Sequence, residues 1–183
     1  MIIGLVGKAK SGKDTVADYL VQNFDFKKVA FADDLKRLCV DMFNLTDEQV
    51  NTQEGKATID TRYNLTPREL LQMVGTDWFR SVYPMIWVDR LATKLRAAGP
   101  NDNYVVTDIR FANEMAVIQQ LGGYNVKLIR LDGGGAGEFG NHPSETALDN
   151  ILDVNFDCII RAGTGELGKL FDRITVFYKN KLL

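Results

Sequence analysis

Short apolar runs and amphipathic stretches alternate along this chain. Residues 2–6 (Ile-Ile-Gly-Leu-Val) are an apolar run of strand length, and Val16, Tyr19, Leu20 and Phe24 then recur at helical spacing, predicting a helix over about 12–24. Residues 28–32 read as a second strand, leading into Asp33-Asp34-Leu35-Lys36-Arg37-Leu38, where two acids open a helix at its positive end. Residues 44–65 are polar and turn-rich and predict a loop with short helical pieces, more mobile than the core. At Thr66-Pro67-Arg68-Glu69 several signals mark a helix start: a threonine cap, a proline in the first turn and a glutamate three residues after the cap. That helix carries Leu70, Leu71 and Val74 and is predicted to end at Gly75. An aromatic segment follows over 77–83, and beyond Pro84 a helix shows Trp87, Leu91 and Leu95 on one face until Gly99-Pro100 stops it.

In the second half, 104–108 reads as a buried strand closing on Asp108. Ile109-Arg110-Phe111 turns into a helix through Glu114, Val117, Ile118 and Leu121, which Gly122-Gly123 ends, and 126–130 is the next strand. Residues 132–143 include five glycines among twelve residues and cannot hold regular structure. A short helix begins near Ser144-Glu145, 158–160 is the last strand and 165–181 the last helix. Strands alternating with helices predict an α/β fold, with five parallel strands covered on both faces. In such sheets ligands gather at the carboxyl ends of the strands. Those ends are the loop after residue 6, Asp33, Asp108 with Arg110, Arg130, and Arg161, so the topology directs charged residues into one cleft.

The loop after the first strand carries the chemistry. Gly7-Lys8-Ala9-Lys10-Ser11-Gly12-Lys13 lies between a strand and a helix, the setting that a phosphate-binding loop requires. Gly7 and Gly12 let consecutive N–H groups curl toward phosphate oxygens, with the helix N-terminus behind them. Lys13 would reach the β- and γ-phosphates. Asp14 stands where a hydroxyl residue normally follows the lysine, so Thr15 is read as the hydroxyl near Mg²⁺, directly or through water, and Asp14 as a carboxylate near the helix start. A nucleoside triphosphate with Mg²⁺ is therefore expected.

Composition narrows the classes. The 183 residues suit one domain, or one core with mobile insertions, and 45% apolar with 25% charged residues is ordinary for a globular protein. A net charge of −2 argues against duplex nucleic acid as the main partner while leaving room for a local cation cluster on a small phosphorylated ligand. Cys39 and Cys158 are isolated and His142 is the single histidine, so a zinc set is not expected and buried, reduced thiols are. No apolar run approaches a membrane span and no basic leader precedes residue 2; a cytoplasmic protein is expected.

Within the cleft, Asp108 could hold a metal-bound water or merely end its strand. Arg110 could clamp an anionic acceptor in a bidentate way or form a surface ion pair. Asp33 could orient a substrate group or cap its helix, and Lys36 could be a ligand or a solvated lysine. Arg68 and Gln72 share one helix face and could grip one ligand. Trp78, Phe79, Tyr83 and Trp87 could stack on a base, although such clusters are more often core. The glycine-rich stretch could close as a lid that excludes water, or be a surface loop. His142 could contact phosphate or cap the helix that Ser144 and Glu145 open.

These stretches together resemble the phage-type deoxynucleoside monophosphate kinases. The matching segments are Ser11-Gly12-Lys13-Asp14-Thr15, Phe31-Ala32-Asp33-Asp34-Leu35-Lys36, Arg68-Glu69-Leu70-Leu71-Gln72 with Gly75-Thr76-Asp77 and Trp87-Val88, Asp108-Ile109-Arg110-Phe111 with Asn113-Glu114, and His142-Pro143-Ser144-Glu145. The resemblance implies a P-loop core of about 1–43 and 101–183, a monophosphate-binding helical insertion of about 44–100, and a lid of about 131–144. It implies transfer of the γ-phosphoryl of ATP to a deoxynucleoside monophosphate, with Mg²⁺, in the host cytoplasm for a phage-encoded chain. Ala9, Lys10, Ser11, Gly12, Lys13, Asp14 and Thr15 would hold ATP and its metal. Asp33, Lys36, Arg68, Gln72, Trp87, Asp108, Arg110, Arg130, His142 and Glu145 would serve the acceptor, Arg130 at the lid hinge, and Asp108 would assist Thr15 at the metal. Lys13, Arg110, Asp108 and Asp33 would form the catalytic set that the resemblance implies.

Two departures stand out. Residues 132–143 contain no arginine, so Lys8, Lys10, Arg110 or Arg130 must supply the charge that a lid usually brings. Arg161-Ala162-Gly163 replaces the family's usual Asn and Gly near the adenine, which makes Arg161 the candidate to stack on the base. A P-loop kinase of another phosphorylated acceptor, such as phosphomevalonate or dephospho-coenzyme A, is the alternative enzyme reading; a nucleotide-gated switch is a further one, without an Asn-Lys-x-Asp base-reading motif to support it. The partners expected are small nucleotides alone, with neither nucleic acid nor membrane, and the sequence leaves a homodimer open.

Overall fold

The computed structural model of the chain describes residues 1–99, 101–132 and 142–182. In chain order the elements are β1 (Ile2–Val6), α1 (Lys13–Phe24), β2 (Phe26–Val29), α2 (Asp33–Phe43), α3 (Asp47–Asn51), α4 (Gln53–Ala57), α5 (Pro67–Gln72), α6 (Ile86–Arg96), β3 (Asn103–Ile109), α7 (Ala112–Gln120), β4 (Tyr124–Arg130), α8 (Pro143–Thr146), β5 (Cys158–Ala162) and α9 (Leu167–Asn180). Two compact units emerge: Met1–Ala30 with Lys94–Leu183, and Phe31–Thr93.

The first unit holds a five-stranded sheet in the order β2-β3-β1-β4-β5, every pair parallel. The alternation of β1 decides which helix covers which face. Ile3 and Leu5 are fully buried in a cluster with Val16 and Leu20 of α1 and Leu170 and Ile174 of α9, while Gly4 faces Ile109 and Ile118 of α7. Each such buried aliphatic side chain contributes about 1.5–3 kcal/mol relative to exposure, so the cluster fixes the sheet that carries the site. The edge strand β2 presents Lys27 and Lys28 to solvent, a charge pattern that discourages pairing with another chain.

The position of β2 differs from the reading of the sequence. The strand is Phe26–Val29, in register with Asn103–Val106, and not 28–32. The apolar Ala30-Phe31-Ala32 leaves the ladder and turns into α2, with Ala32 at the cap. Phe31 is buried without belonging to a strand, which made the run look like one.

The second unit is helical. Thr46 and Thr66 each form a reciprocal capping box, with Gln49 and Glu69 respectively. Asp34 of α2 accepts from Arg37 at 2.5 Å and from Arg90 of α6 at 2.6 Å. Asp60, only 5% exposed at its side chain, accepts from Arg62 at 2.5 Å and from the Gln49 amide at 3.0 Å. The helix opened by Thr66 does not stop at Gly75. It continues as a π-helical segment, Met73–Arg80, in which Gly75 is buried where a Cβ would lie 2.4 Å from Leu35. That glycine is small so that Leu35 can pack against it, and the widened turn leaves its carbonyl to accept from the Trp87 indole at 2.9 Å. Among the described residues, no helix is long and apolar enough to cross a membrane.

Candidate active site

The loop between β1 and α1 is shaped by its backbone. Lys10 and Gly12 take left-handed conformations (φ 61° and 96°), and Ser11 N–H donates to the Lys8 carbonyl at 3.2 Å. A Cβ at residue 7 would lie 2.5 Å from Ser11 Oγ and 2.6 Å from the Leu128 carbonyl oxygen, so only glycine fits there. Lys13 curls back into the loop, its ammonium 2.7 Å from the Gly7 carbonyl and 2.8 Å from that of Lys8. Among the described residues Ser11 Oγ is buried with no hydrogen-bond partner, an unmet polar group beside the loop's amides that an incoming oxyanion would satisfy.

Neighbouring strand ends bring further charges. The Arg110 guanidinium, just past β3, donates to the Ser144 carbonyl of α8 at 3.1 Å. Arg130, the last residue of β4, donates through Nη1 to the Lys10 carbonyl at 3.2 Å and through Nε to Asp132 at 3.2 Å, and also bonds the Thr164 hydroxyl. The Thr164 hydroxyl, with help from Arg130, holds the Asp132 carboxyl down at about 2. Lys8 pairs with Asp149.

These groups surround one cavity of about 420 Å³, lined by Gly7, Lys8, Ala9, Ser11 and Lys13, by Asp108 and Arg110, by Lys127 and Arg130, and by Ser144, Leu148 and Asp149. Its size is that of a small-molecule site, and its wall combines five cationic side chains with two carboxylates. Of the residues singled out in the sequence, Gly7, Lys8, Ala9, Ser11, Lys13, Asp108, Arg110 and Arg130 meet here. Lys127 and Asp149 were not singled out. A lone lysine inside the apolar run 126–129 was the available signal for Lys127, whereas nothing local marks Asp149.

The remaining described candidates are not among the residues lining this cavity. Asp14 is exposed and 3.0 Å from Lys28, and Thr15 is half-buried on α1. Arg161 pairs with Asp153 at 3.1 Å, outside the cavity lining. His142 Nδ1 accepts from Ser144 N–H at 3.2 Å, capping α8. The Glu145 side chain and residues 133–141 of the expected lid fall outside the described residues. In the helical unit, Asp33 is exposed in the first turn of α2, Lys36 donates to Asn51 at 3.1 Å, and Arg68 to Gln53 at 2.9 Å. Gln72 is half-buried one turn after Arg68, and Trp87 is in that unit's core.

Burial pushes the Cys39 thiol up to about 11, removing it as a nucleophile near neutral pH. Among the described residues, no three His, Cys, Asp or Glu side chains form a metal cage. A magnesium ion held largely by substrate phosphates needs only one or two protein ligands; of the two expected from the sequence, Asp108 lines the cavity and Thr15 is not among its lining residues.

Comparison with known proteins gives the lineage. A family model described as deoxynucleotide monophosphate kinase matches residues 1–63. A protein of Acanthamoeba polyphaga mimivirus, provisionally named deoxynucleotide monophosphate kinase, is 39% identical over 168 residues, covering 82% of this chain and 83% of the viral one. The chain belongs to the deoxynucleotide monophosphate kinase family. Family membership gives the class of activity, that of a kinase. Among solved structures, TT1252 of Thermus thermophilus matches with a TM-score of 0.55 at 17% identity, covering 100% of this chain and 98% of that one. Shikimate kinase of Acinetobacter baumannii, in complex with shikimate, matches at 0.51 and 17%, covering 100% and 95%. At such identities these likenesses concern the fold alone.

Proposed function

We propose that this kinase transfers the γ-phosphoryl group of ATP to a deoxynucleoside monophosphate, yielding ADP and the deoxynucleoside diphosphate. The observation that carries the reading is the single cavity in which the β1–α1 loop, Lys13, Arg110 and Arg130 converge. Phosphoryl transfer depends on positioning and charge neutralisation more than on covalent help from the protein. The loop amides and Lys13 hold the donor phosphates, and Ser11 Oγ gains the partner it lacks. Arg110 binds the acceptor phosphate and, with Arg130 and Lys8, balances charge that spreads over the transferred group.

An acceptor phosphate oxygen forms the new bond to the γ-phosphorus as the bond to the β,γ-bridging oxygen breaks and ADP departs. That acceptor oxygen is ionised near neutral pH, so no strong general base is needed, in keeping with a site whose charged residues are mostly cations. Asp108, with Thr15 as the second ligand expected from the sequence, would hold Mg²⁺ beside the phosphates, and the ion would supply charge neutralisation and alignment of the triphosphate when bound. Lys36, Arg68 and Gln72 are assigned to the acceptor on the family resemblance.

The test is ADP formation from Mg²⁺-ATP against a panel of deoxynucleoside monophosphates, ribonucleoside monophosphates, dephospho-coenzyme A and shikimate. Turnover stimulated by at least one deoxynucleoside monophosphate is expected. Stimulation only by a non-nucleotide acceptor, or by none of them, would overturn the assignment.

A further inference from the structure

Arg110 sits at an exposed kind of junction, where β3 has ended and α7 has not begun. A residue there has lost its ladder and would ordinarily be poorly fixed. Its main chain is nevertheless held: Arg110 N–H donates to Glu114 Oε2 at 2.7 Å, and Phe111 N–H donates to the same carboxylate at 3.2 Å. Phe111 occupies the cap position of α7 with extended backbone and has no side-chain acceptor, so the carboxylate of the third helical residue does the capping there. Glu114 is 2% exposed, and its neighbours Met115 and Ile118 are 5% and 0% exposed, so the carboxylate is anchored to a packed helix.

We infer that Glu114 is the positioning residue that aims Arg110 into the phosphate cavity. Rather than touching the substrate, it acts through the Arg110 main chain. The side chain of Arg110 then runs from this fixed point to the Ser144 carbonyl, where its guanidinium lines the cavity. One buried carboxyl oxygen that accepts two successive main-chain N–H groups ties both to the same point. A long side chain also magnifies any slip of its Cα, and a misplacement of about 1 Å in a reacting site can cost on the order of 10²-fold in rate. The inference rests on the kinase reading above and deepens it.

A double-mutant cycle tests it. Wild type, Glu114→Gln, Arg110→Ala and the double variant are compared at saturating Mg²⁺-ATP with the deoxynucleoside monophosphate varied, and again with ATP varied. Glu114→Gln is expected to lower acceptor kcat/KM about tenfold or more, the scale of weakening the acceptor of two buried N–H groups. The KM for ATP should stay within about twofold, since uniform donor binding is untouched. In the Arg110→Ala background the same change should add nothing, because the group being aimed is gone. Should the Gln variant fail to fold, Glu114→Asp, which keeps the carboxyl group on a shorter stem, is read through the same cycle.

A loss that repeats in full without Arg110 would overturn the inference, as would a lowered melting temperature with wild-type acceptor kinetics. If Arg110→Ala itself leaves the acceptor kinetics unchanged, the anion-site reading falls and takes this inference with it. An Arg110 effect combined with an additive Glu114 effect removes the inference alone.

Discussion

The loop of the sheet unit and the network of the helical unit hold charged side chains in different ways. Around the cavity, Lys13, Arg110 and Arg130 each donate to main-chain carbonyls, those of Gly7 and Lys8, of Ser144 and of Lys10, while Arg130 also donates to Asp132 and Lys8 pairs with Asp149. In the helical unit, Arg62 and Arg90 donate to the carboxylates of Asp60 and Asp34. A cation resting on a neutral carbonyl dipole can exchange that partner for a phosphate and gain energy. One matched to a carboxylate would lose its counter-charge in the same exchange. The carbonyl bonds beside the loop can be given up to a ligand, whereas the Asp60–Arg62 and Asp34–Arg90 pairs hold the helical unit together.

The contrast predicts that chemistry and stability separate by unit. Lys13→Ala should lower kcat by about 10²–10³-fold, the usual scale for deleting a preorganised charge at a reacting group, with little change in melting temperature. Calorimetry beside steady-state kinetics checks this, and a large melting shift with modest kinetic loss would blur the contrast.

The helical unit should show the opposite behaviour, with a smaller effect. The Asp60 carboxyl is held well below the usual carboxylate range by hydrogen bonds from the Arg62 side chain first, then from the Arg62 N–H and the Gln49 amide. The folded state therefore takes up that proton less readily than the unfolded chain. The stability it lends is full above about pH 4, the unfolded value, and is lost as pH falls from there toward the lower folded value. Asp60→Asn should lower the melting temperature at neutral pH, flatten its fall between about pH 4 and pH 2, and leave acceptor kinetics near wild type. Melting curves across that range, with the kinetics at neutral pH, measure all three.

The same contrast explains what could be read from the chain. The phosphate loop is local: seven consecutive residues between a strand and a helix carry their geometry in Gly7 and Gly12, so the sequence displays it directly. The sheet was legible for a related reason, as four of its strands are apolar runs of the right length. Phe26–Val29 was displaced because Lys27 and Lys28 interrupt it while the neighbouring Ala30-Phe31-Ala32 is apolar but packed outside the ladder. Gly75 reads as a stop in isolation, and only the packing of Leu35 shows why the helix runs past it. Asp149 and Lys127 line the cavity, Asp149 paired with Lys8 and Lys127 with Asp153, pairings that no local pattern announces. Glu114 stood in plain view as a helix residue, but its two bonds to Arg110 and Phe111 give it a further use.

The central claim is that a phosphoryl group moves from ATP to a deoxynucleoside monophosphate in this cavity. The most direct measurement follows the label from ATP radiolabelled at the γ-phosphorus, incubated with the protein, Mg²⁺ and the deoxynucleoside monophosphate that gives the fastest turnover. The account predicts label at the β-position of a deoxynucleoside diphosphate, and none transferred by Lys13→Ala on the same timescale. Label appearing as inorganic phosphate at a rate indifferent to the monophosphate would contradict it.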